Sequence, residues 1–396
     1  MDMSSFTESE ERIELRAQVA RLAQRFGRDW FVERARAGEK TTDLWMEIAK
    51  AGYLGVNIPE EYGGGGGGIG DVAAVCEELA AQGCPLLMMV VSPAICGTVI
   101  ARYSTEEQKQ RWLPGICDGT ATMAFAITEP DAGTNSHNIT TTARRDGDEW
   151  VLKGQKVYIS GVDEAAHVLV VARTEDARTG KLEPCLFVVP TDAAGFEFTP
   201  IPMEIVSPEL QFQVFIDDVR LPADALVGDE DPSTGSGRSG GLVQLFAGLN
   251  PERIMAASFS TGLARHALGK ASTYARERTV FQAPIGSHQA IAHPLAMAHI
   301  ENELARLMTQ KAAALVDAGE DMAAGEAANM AKYAAAEAAV HAVDAAVQTH
   351  GGNGITQEYG MAGMLVAARA GRIAPVSREM ILNFVAMHSL GLPKSY

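Results

Sequence analysis

Residues 248–255 read GLNPERIM and place a carboxylate, Glu252, directly after Asn250 and Pro251. Asn before Pro is the chemistry of a helix start: a side-chain cap, then a ring whose fixed φ suits the first helical position. Glu252 then falls in a first turn, where the amide end of a helix favours negative charge. Such a carboxylate is either a solvated helix-end residue or a general base that takes a proton from a substrate. Three other stretches carry groups suited to a planar or phosphorylated ligand. In TEPDAGTN (128–135) the apolar run AFAIT ends in a polar turn. Gly133 and Thr134 there offer backbone amides and a hydroxyl, although any turn has this composition. In KVYISG (156–161), Tyr158 and Ser160 are two residues apart, on one face of a strand, able to stack on and hydrogen-bond a ring. In QTHGGNG (348–354) the glycines either end a helix or let backbone approach a phosphate. GGGGGGIG (63–70) contains G-x-G-x-x-G only because it is a glycine run. PEEY before it is no strand, so it reads as a loop.

The elements that must hold these groups fall into three regions. Up to residue 121 the apolar residues recur at helical spacing. Ile13, Val19, Leu22 and Ala23 fall at helical spacing, and Thr105 before Glu106 and Glu107 marks a helix start. CPLLMMVVSPAICGTVIA (84–101) is uncharged but interrupted by prolines, and reads as a buried helix. From Thr122 the period becomes two. Short β-branched and aromatic runs separated by turns such as RDGDE predict an antiparallel barrel or sandwich. DEDPSTGSGRSG lies in a flexible loop at 229–241. Helices then return at 251–279, 290–317, 324–350 and from 361 to near the end, an antiparallel four-helix bundle. The expected domains are 1–121 α-helical, 122–228 β and 242–396 bundle, a multi-domain α+β chain.

The totals exclude several classes. At 396 residues with 47% hydrophobic and 21% charged, the chain is an ordinary globular protein. A net charge of −17 argues against non-specific binding to nucleic acid or anionic membrane. Five scattered cysteines without CxxC spacing, and nine histidines without HExxH, argue against a disulfide framework and against a metal site. They suit a reducing, cytoplasmic setting. MDMSSFTESEERIEL is too acidic and polar for a signal peptide.

Taken together, the motifs resemble the acyl-CoA dehydrogenase family along essentially the whole chain. PEEYGG (59–64), FAITEPDAGT (125–134), KVYIS (156–160), RTVFQAPIGSHQ (278–289) and QTHGGNG (348–354) occur in the family's order. The resemblance implies a helical domain, a β-barrel and a four-helix bundle, usually a homotetramer with one FAD per subunit. It assigns Phe125, Ile127, Thr128, Gly133 and Thr134 to the flavin, with Thr134 also touching acyl-CoA. Tyr158, Ile159 and Ser160 match the segment against the ring, where Trp and Thr are more usual. Arg278, Phe281, His288 and Gln289, with Gln348, Gly351 and Gly352, match segments that bind a neighbouring subunit's FAD, which implies an oligomer.

One departure concerns the base. Most members carry the catalytic glutamate late, in a Glu-Gly-Thr motif; here RIAPVSREMIL (372–382) puts Arg378 there, with Glu379 one place on. A minority branch uses a Leu-x-x-Glu-Arg pattern, matched by Leu249, Glu252 and Arg253. The resemblance therefore makes Glu252 the base, Glu379 its rival, and Asn250 and Arg253 substrate neighbours. It implies α,β-dehydrogenation of an acyl-CoA, with electrons passed to an electron-transferring flavoprotein. A same-fold oxidase or monooxygenase, an acyl-carrier-protein dehydrogenase and a non-catalytic flavoprotein partner are the alternatives. The expected acyl pocket includes part of the Leu86–Ile95 segment and takes a short, medium or branched chain.

Overall fold

The computed structural model describes residues 8–175, 180–228 and 241–394. The loop expected at 229–241 lies outside the described residues apart from Gly241. The first part is helical: α1 (Glu10–Gln24), α2 (Gly27–Ala37), α3 (Thr42–Lys50), α4 (Ile69–Ala81), α5 (Leu87–Met89), α6 (Thr98–Tyr103) and α7 (Glu106–Cys117). Val19 and Ala23 of α1 enter the core as their spacing predicts, but Ile13 remains 56% exposed. Thr105 caps α7 in a reciprocal box with Gln108. The buried Gln108 amide also donates to the Leu226 carbonyl (2.6 Å) and its oxygen accepts from Gly228 N (2.9 Å), which fastens α7 to the end of the sheet. The glycine run makes a tight turn before α4. A Cβ at Gly64 would lie 2.0 Å from the Ile58 carbonyl oxygen, so a side chain there cannot fit.

The uncharged stretch 84–101 is buried as expected, but not as one regular helix. Between α5 and α6, Val90–Gly97 winds as a π-helix containing Pro93. A proline that cannot donate to the helical ladder accounts for a wide turn there.

The middle part is a curled seven-stranded sheet: β1 (Met123–Ala126), β2 (Thr142–Asp146), β3 (Glu149–Ser160), β4 (His167–Glu175), β5 (Leu182–Pro190), β6 (Phe196–Ile201) and β7 (Gln211–Pro222). The order is β1-β4-β2-β3-β7-β6, with β5 also on β4. The expected antiparallel pattern is incomplete. β1 runs parallel to β4, pairing Met123 with His167, and β2 meets β4 in parallel at Thr142 and Arg173. Alternation cannot reveal this, because a strand's faces read alike whichever way its partner runs.

The last part holds α8 (Gly241–Glu277), a small hairpin of β8 (Thr279–Val280) and β9 (Ala283–Pro284), α9 (Gln289–Asp317), α10 (Asp321–His350), α11 (Gly363–Ala370) and α12 (Arg378–His388). Two expectations fail. The first bundle helix does not start at Pro251; Pro251 lies inside α8. Burial of Gln244, Leu245 and Gly248, with Gly248 tight against Ile95 and Val99, holds the upstream turns helical despite the proline. The fourth helix is two pieces, parted at Gly371–Ser377, where Pro375 intervenes and Ser377 caps α12. α10 buries alanines such as Ala324, Ala328, Ala331, Ala335 and Ala342 on one stripe, which lets its neighbours approach closely. α8 and α10 run parallel. A Cβ at Gly325 would sit 3.7 Å from the Asn250 amide, and Ser260 and Ala336 both pack on Gly371.

A buried ionic cluster joins the helical parts. Glu77 and Glu78 of α4 accept from Arg16 of α1 (2.9 and 3.0 Å) and from Arg265 of α8 (2.9 and 2.7 Å), and Glu77 also from Arg306 of α9 (2.5 Å).

Candidate active site

Glu252 sits within α8 rather than at its start, so the helix-end explanation of its charge does not apply. It is partly buried, and no hydrogen bond or ion pair reaches it among the described residues. Burial pushes its carboxyl up to about 7, against the opposing pull of Arg253 and Lys332. The buried Cys96 thiol of the π segment is raised by burial and by the nearby Glu252 charge, which brings that segment to the carboxylate. Asn250 is not a cap. Its side-chain oxygen accepts from Arg253 Nη1 (3.1 Å), which also donates to the Leu249 carbonyl (3.3 Å). The rival acid has a different setting. Glu379 is exposed in the first turn of α12. Arg378 pairs with Glu337 (3.2 Å) and lies over the Tyr333 ring (5.8 Å).

The segments expected to bind the flavin form one group on the sheet. Val157 N donates to the Thr128 carbonyl (2.9 Å), joining the end of β1 to β3. Phe125 is buried, Ile127 is partly buried against the same core, and Gly133 and Thr134 are exposed beyond them. Tyr158 and Ser160 are not on a regular strand face. The register of β3 on β7 slips between Lys156 and Ile159, and Tyr158 takes a left-handed φ of 59°. This bulge leaves Tyr158 59% exposed while Ile159 stays in the sheet core. Ser160 Oγ lies 3.0 Å from the Gln211 amide nitrogen, which donates to it. Gly161 has φ 63°, and a Cβ there would meet Met88 Sδ at 2.4 Å. The Leu86–Ile95 segment therefore abuts the end of β3 at Gly161.

Sequence reading missed the group beneath. Lys156 is fully buried, and its ammonium donates to Glu129 (2.9 Å) and to the Ile127 carbonyl (3.1 Å). Glu129 also accepts from the backbone and hydroxyl groups of Thr140 and Thr141. Burial works against this charge, but Lys156 and the threonine donors hold the carboxyl at about 2. Lysines are normally exposed, so nothing local marks Lys156 as internal.

Glu209 was also missed. It is buried, accepts from Leu87 N (2.9 Å) and from the Ser207 hydroxyl (2.8 Å), and burial raises it to about 7. A carboxyl raised on folding binds a proton more tightly in the native state. It therefore costs stability as pH rises from its ordinary value through about 7, by about 3 kcal/mol in full. Glu209→Gln keeps the acceptor for Leu87 and copies the protonated form. It is expected to match wild type at pH 4.5 and to exceed it in urea unfolding at pH 8; equal stabilities at pH 8 would refute this.

The remaining candidates gather at the end of α8 and α10. Tyr274 stacks on His350 (4.4 Å), and Asn353 Nδ2 donates to its hydroxyl (3.1 Å). That contact holds 348–354 beside 278–289. Gly351, at φ 58° and ψ −133°, adopts a conformation that favours glycine, and both it and Gly352 face open space. Arg278 and Gln348 are exposed, and no carboxylate pairs with Arg278 among the described residues. Phe281 and Gln282 are both left-handed at the hairpin tip, and Phe281 is 89% exposed. His288 precedes α9 and the exposed Gln289 begins it. No hydrogen bond, ion pair or ring contact joins this group to 125–160 within the chain among the described residues. No described helix is long and apolar enough to cross a membrane.

Known proteins match along the same three parts. A model described as the acyl-CoA dehydrogenase N-terminal domain matches residues 9–120, the middle domain 124–215 and the C-terminal domain 239–390. The acyl-CoA dehydrogenase FadE12 of Mycobacterium tuberculosis is 63% identical over 396 residues, 100% of each chain. The mitochondrial long-chain specific acyl-CoA dehydrogenase of Sus scrofa is 31% identical, over 89% of this chain and 80% of its own. A solved glutaryl-CoA dehydrogenase of Mycobacterium smegmatis in complex with FADH2 is 25% identical with a TM-score of 0.87, covering 100% of this chain and 98% of its own. With helices, sheet and bundle all matched in order, the chain belongs to the acyl-CoA dehydrogenase family.

Proposed function

We propose that this oxidoreductase converts an acyl-CoA thioester to the trans-2-enoyl thioester with Glu252 as the base. The supporting observation is a partly buried carboxyl raised to about 7 beside the Leu86–Ile95 segment, while Arg378 occupies the usual late position and Glu379 is exposed. A base whose proton affinity lies near the working pH is both ionised and strong enough to take a weakly acidic α proton. Burial supplies that affinity, and Arg253 and Lys332 limit it. The cofactor is FAD, which when bound supplies the acceptor for the β hydride.

The residues fit that cofactor. Gly133, Thr134 and Tyr158 leave polar and aromatic groups exposed at the strand ends, where Thr128, Ile159 and Ser160 are held from below. Arg278, without a carboxylate partner among the described residues, and the open backbone at Gly351 and Gly352 suit a phosphate. Because no hydrogen bond, ion pair or ring contact joins these two groups among the described residues, each ring site is completed by a second copy's Arg278, Phe281, His288, Gln289 and Gln348 segments. An exposed apolar stripe on α9, Met297, Ile300, Leu304 and Leu307, further supports a homo-oligomer, a tetramer in this reading. Thr134, Asn250 and Arg253 contact the substrate, electrons leave to an electron-transferring flavoprotein, and the setting is cytoplasmic. The acyl chain is short, medium or branched, with the buried Met88 and Met89 able to adapt to it.

The test is flavin bleaching by a panel of acyl-CoA thioesters with a dye acceptor, on protein whose mass and FAD content are measured. Bleaching by C4–C12 or branched thioesters, on an oligomer with about one FAD per chain, is expected. Rapid oxygen consumption without dye would point to an oxidase. Preference for C16 would overturn the acyl assignment, and a stable monomer full of FAD would overturn the shared site.

A further inference from the structure

Lys332 lies on the inner side of α10, 1% exposed, and its ammonium donates to the Val376 carbonyl. No carboxylate pairs with it among the described residues. A buried ammonium with a single carbonyl partner is costly unless negative charge lies close by. Four charged groups act on it: Arg253 and Glu252 from α8, Glu379 from α12, and Glu337 from α10 itself. Arg253 repels it. Glu337 is held by Arg372 (2.6 Å) and Arg378 (3.2 Å), and Glu379 is exposed, so water screens it. Glu252 is the one carboxylate of the three that is recessed and without a partner of its own.

The fold brings the two together. α8 and α10 run side by side in the same direction, with Asn250 opposite Gly325 and Ser260 level with Ala336. Lys332 lies between those levels, about two turns beyond Gly325, and its charge and that of Glu252 act on each other. Val376 is in the turn between α11 and α12, two residues before Arg378. Around Glu252 the charged or titratable groups are Arg253 on its own helix, Lys332 on α10 and Cys96 on the π segment.

We infer that Lys332 is a positioning residue for the proposed base: its charge keeps Glu252 ionised near neutral pH, and its hydrogen bond to Val376 holds that charge in place. This rests on the reading of Glu252 as the base. Arg378 stands at the usual late position and Glu379 beside it is exposed, so among the described residues Glu252 is the recessed, unpaired carboxylate that this cation acts on.

The test is the pH dependence of single-turnover flavin reduction by saturating acyl-CoA, in FAD-replete wild type, Lys332→Met, Lys332→Gln and Lys332→Arg. The rate falls on the acid side as the base is protonated. Removing a nearby cation raises the base's affinity for protons, so the acid limb of Lys332→Met is expected to move up by about one pH unit. The rate then drops several-fold at pH 7 and recovers by pH 9. Lys332→Gln, which can still donate to Val376, should show the same displacement, and Lys332→Arg should stay near wild type. A purely structural role would lower the rate equally at every pH in Met and leave Gln unchanged. If Lys332→Met does not fold, Lys332→Gln decides. An unmoved limb in a folded, FAD-replete Gln or Met variant overturns the inference. Glu252→Gln run alongside separates the two ideas: near wild-type reduction there means the base is wrong, whatever Lys332 does.

Discussion

Glu252→Gln is expected to slow flavin reduction by at least ~10²-fold, the usual share of general-base catalysis, while FAD content and acyl-CoA binding stay near wild type. Glutamine keeps the shape of the side chain and removes its basicity. The substitution relieves rather than creates a burial problem, since the carboxyl is already raised to about 7. The substitution also removes the negative charge that acts on buried Lys332, so the two effects offset and the folded protein should stay near wild-type stability. In the wild type, the reduction rate should rise as pH increases through about 7, because only the ionised carboxylate takes the proton. Glu379→Gln is expected to behave as wild type, since that side chain is exposed and lies one helical position from Arg378. Stopped-flow reduction of both variants gives a clear decision. A fast Glu252→Gln with a slow Glu379→Gln assigns the chemistry to Glu379.

The second large effect is expected at Lys156. Lys156→Met leaves Glu129, 4% exposed, with hydroxyl and amide donors but no cation. Stranding a buried charge costs about 3–5 kcal/mol. The damage is local to the segment proposed to bind the flavin, because the same ammonium holds the Ile127 carbonyl and Glu129 anchors Thr140 and Thr141. Loss of FAD on gel filtration should accompany the loss of stability in urea. Adding Glu129→Gln to Lys156→Met removes the stranded charge and should return at least half of the stability, the non-additivity expected of a coupled pair. If Lys156→Met retains FAD and lies within about 1 kcal/mol of wild type, the pair is not what holds this segment.

The break in the fourth helix is legible in the residues. RIAPVSREM contains both Pro375 and a Ser377 cap, signals that end one helix and start another, yet the apolar period alone suggested a continuous fourth helix. In contrast, no local pattern announces the slip in β3. The bulge at Tyr158 depends on what β7 presents opposite, from Phe212 to Val214.

The sequence by itself determined the three-part layout, because the hydrophobic period changes from helical to two at Thr122 and back after the loop, and period follows from which face must be buried. It also determined that a carboxylate stands at 252 and an arginine at 378, and it supplied the ordered motifs that carry the family resemblance. Only the tertiary structure decided what Glu252 is. The local signal, Asn250 before Pro251, promised a solvated first turn. Burial of Gln244 and Leu245 and the close packing of Gly248 on Ile95 of the π segment instead kept α8 helical through the proline and set Glu252 inside it, with Cys96 and Lys332 brought up from residues far away in the chain. The same holds for Lys156, Glu129 and Glu209. Burial and neighbouring charge set the proton affinity of an ionisable group, and both are properties of non-local packing that residue types and spacing do not encode.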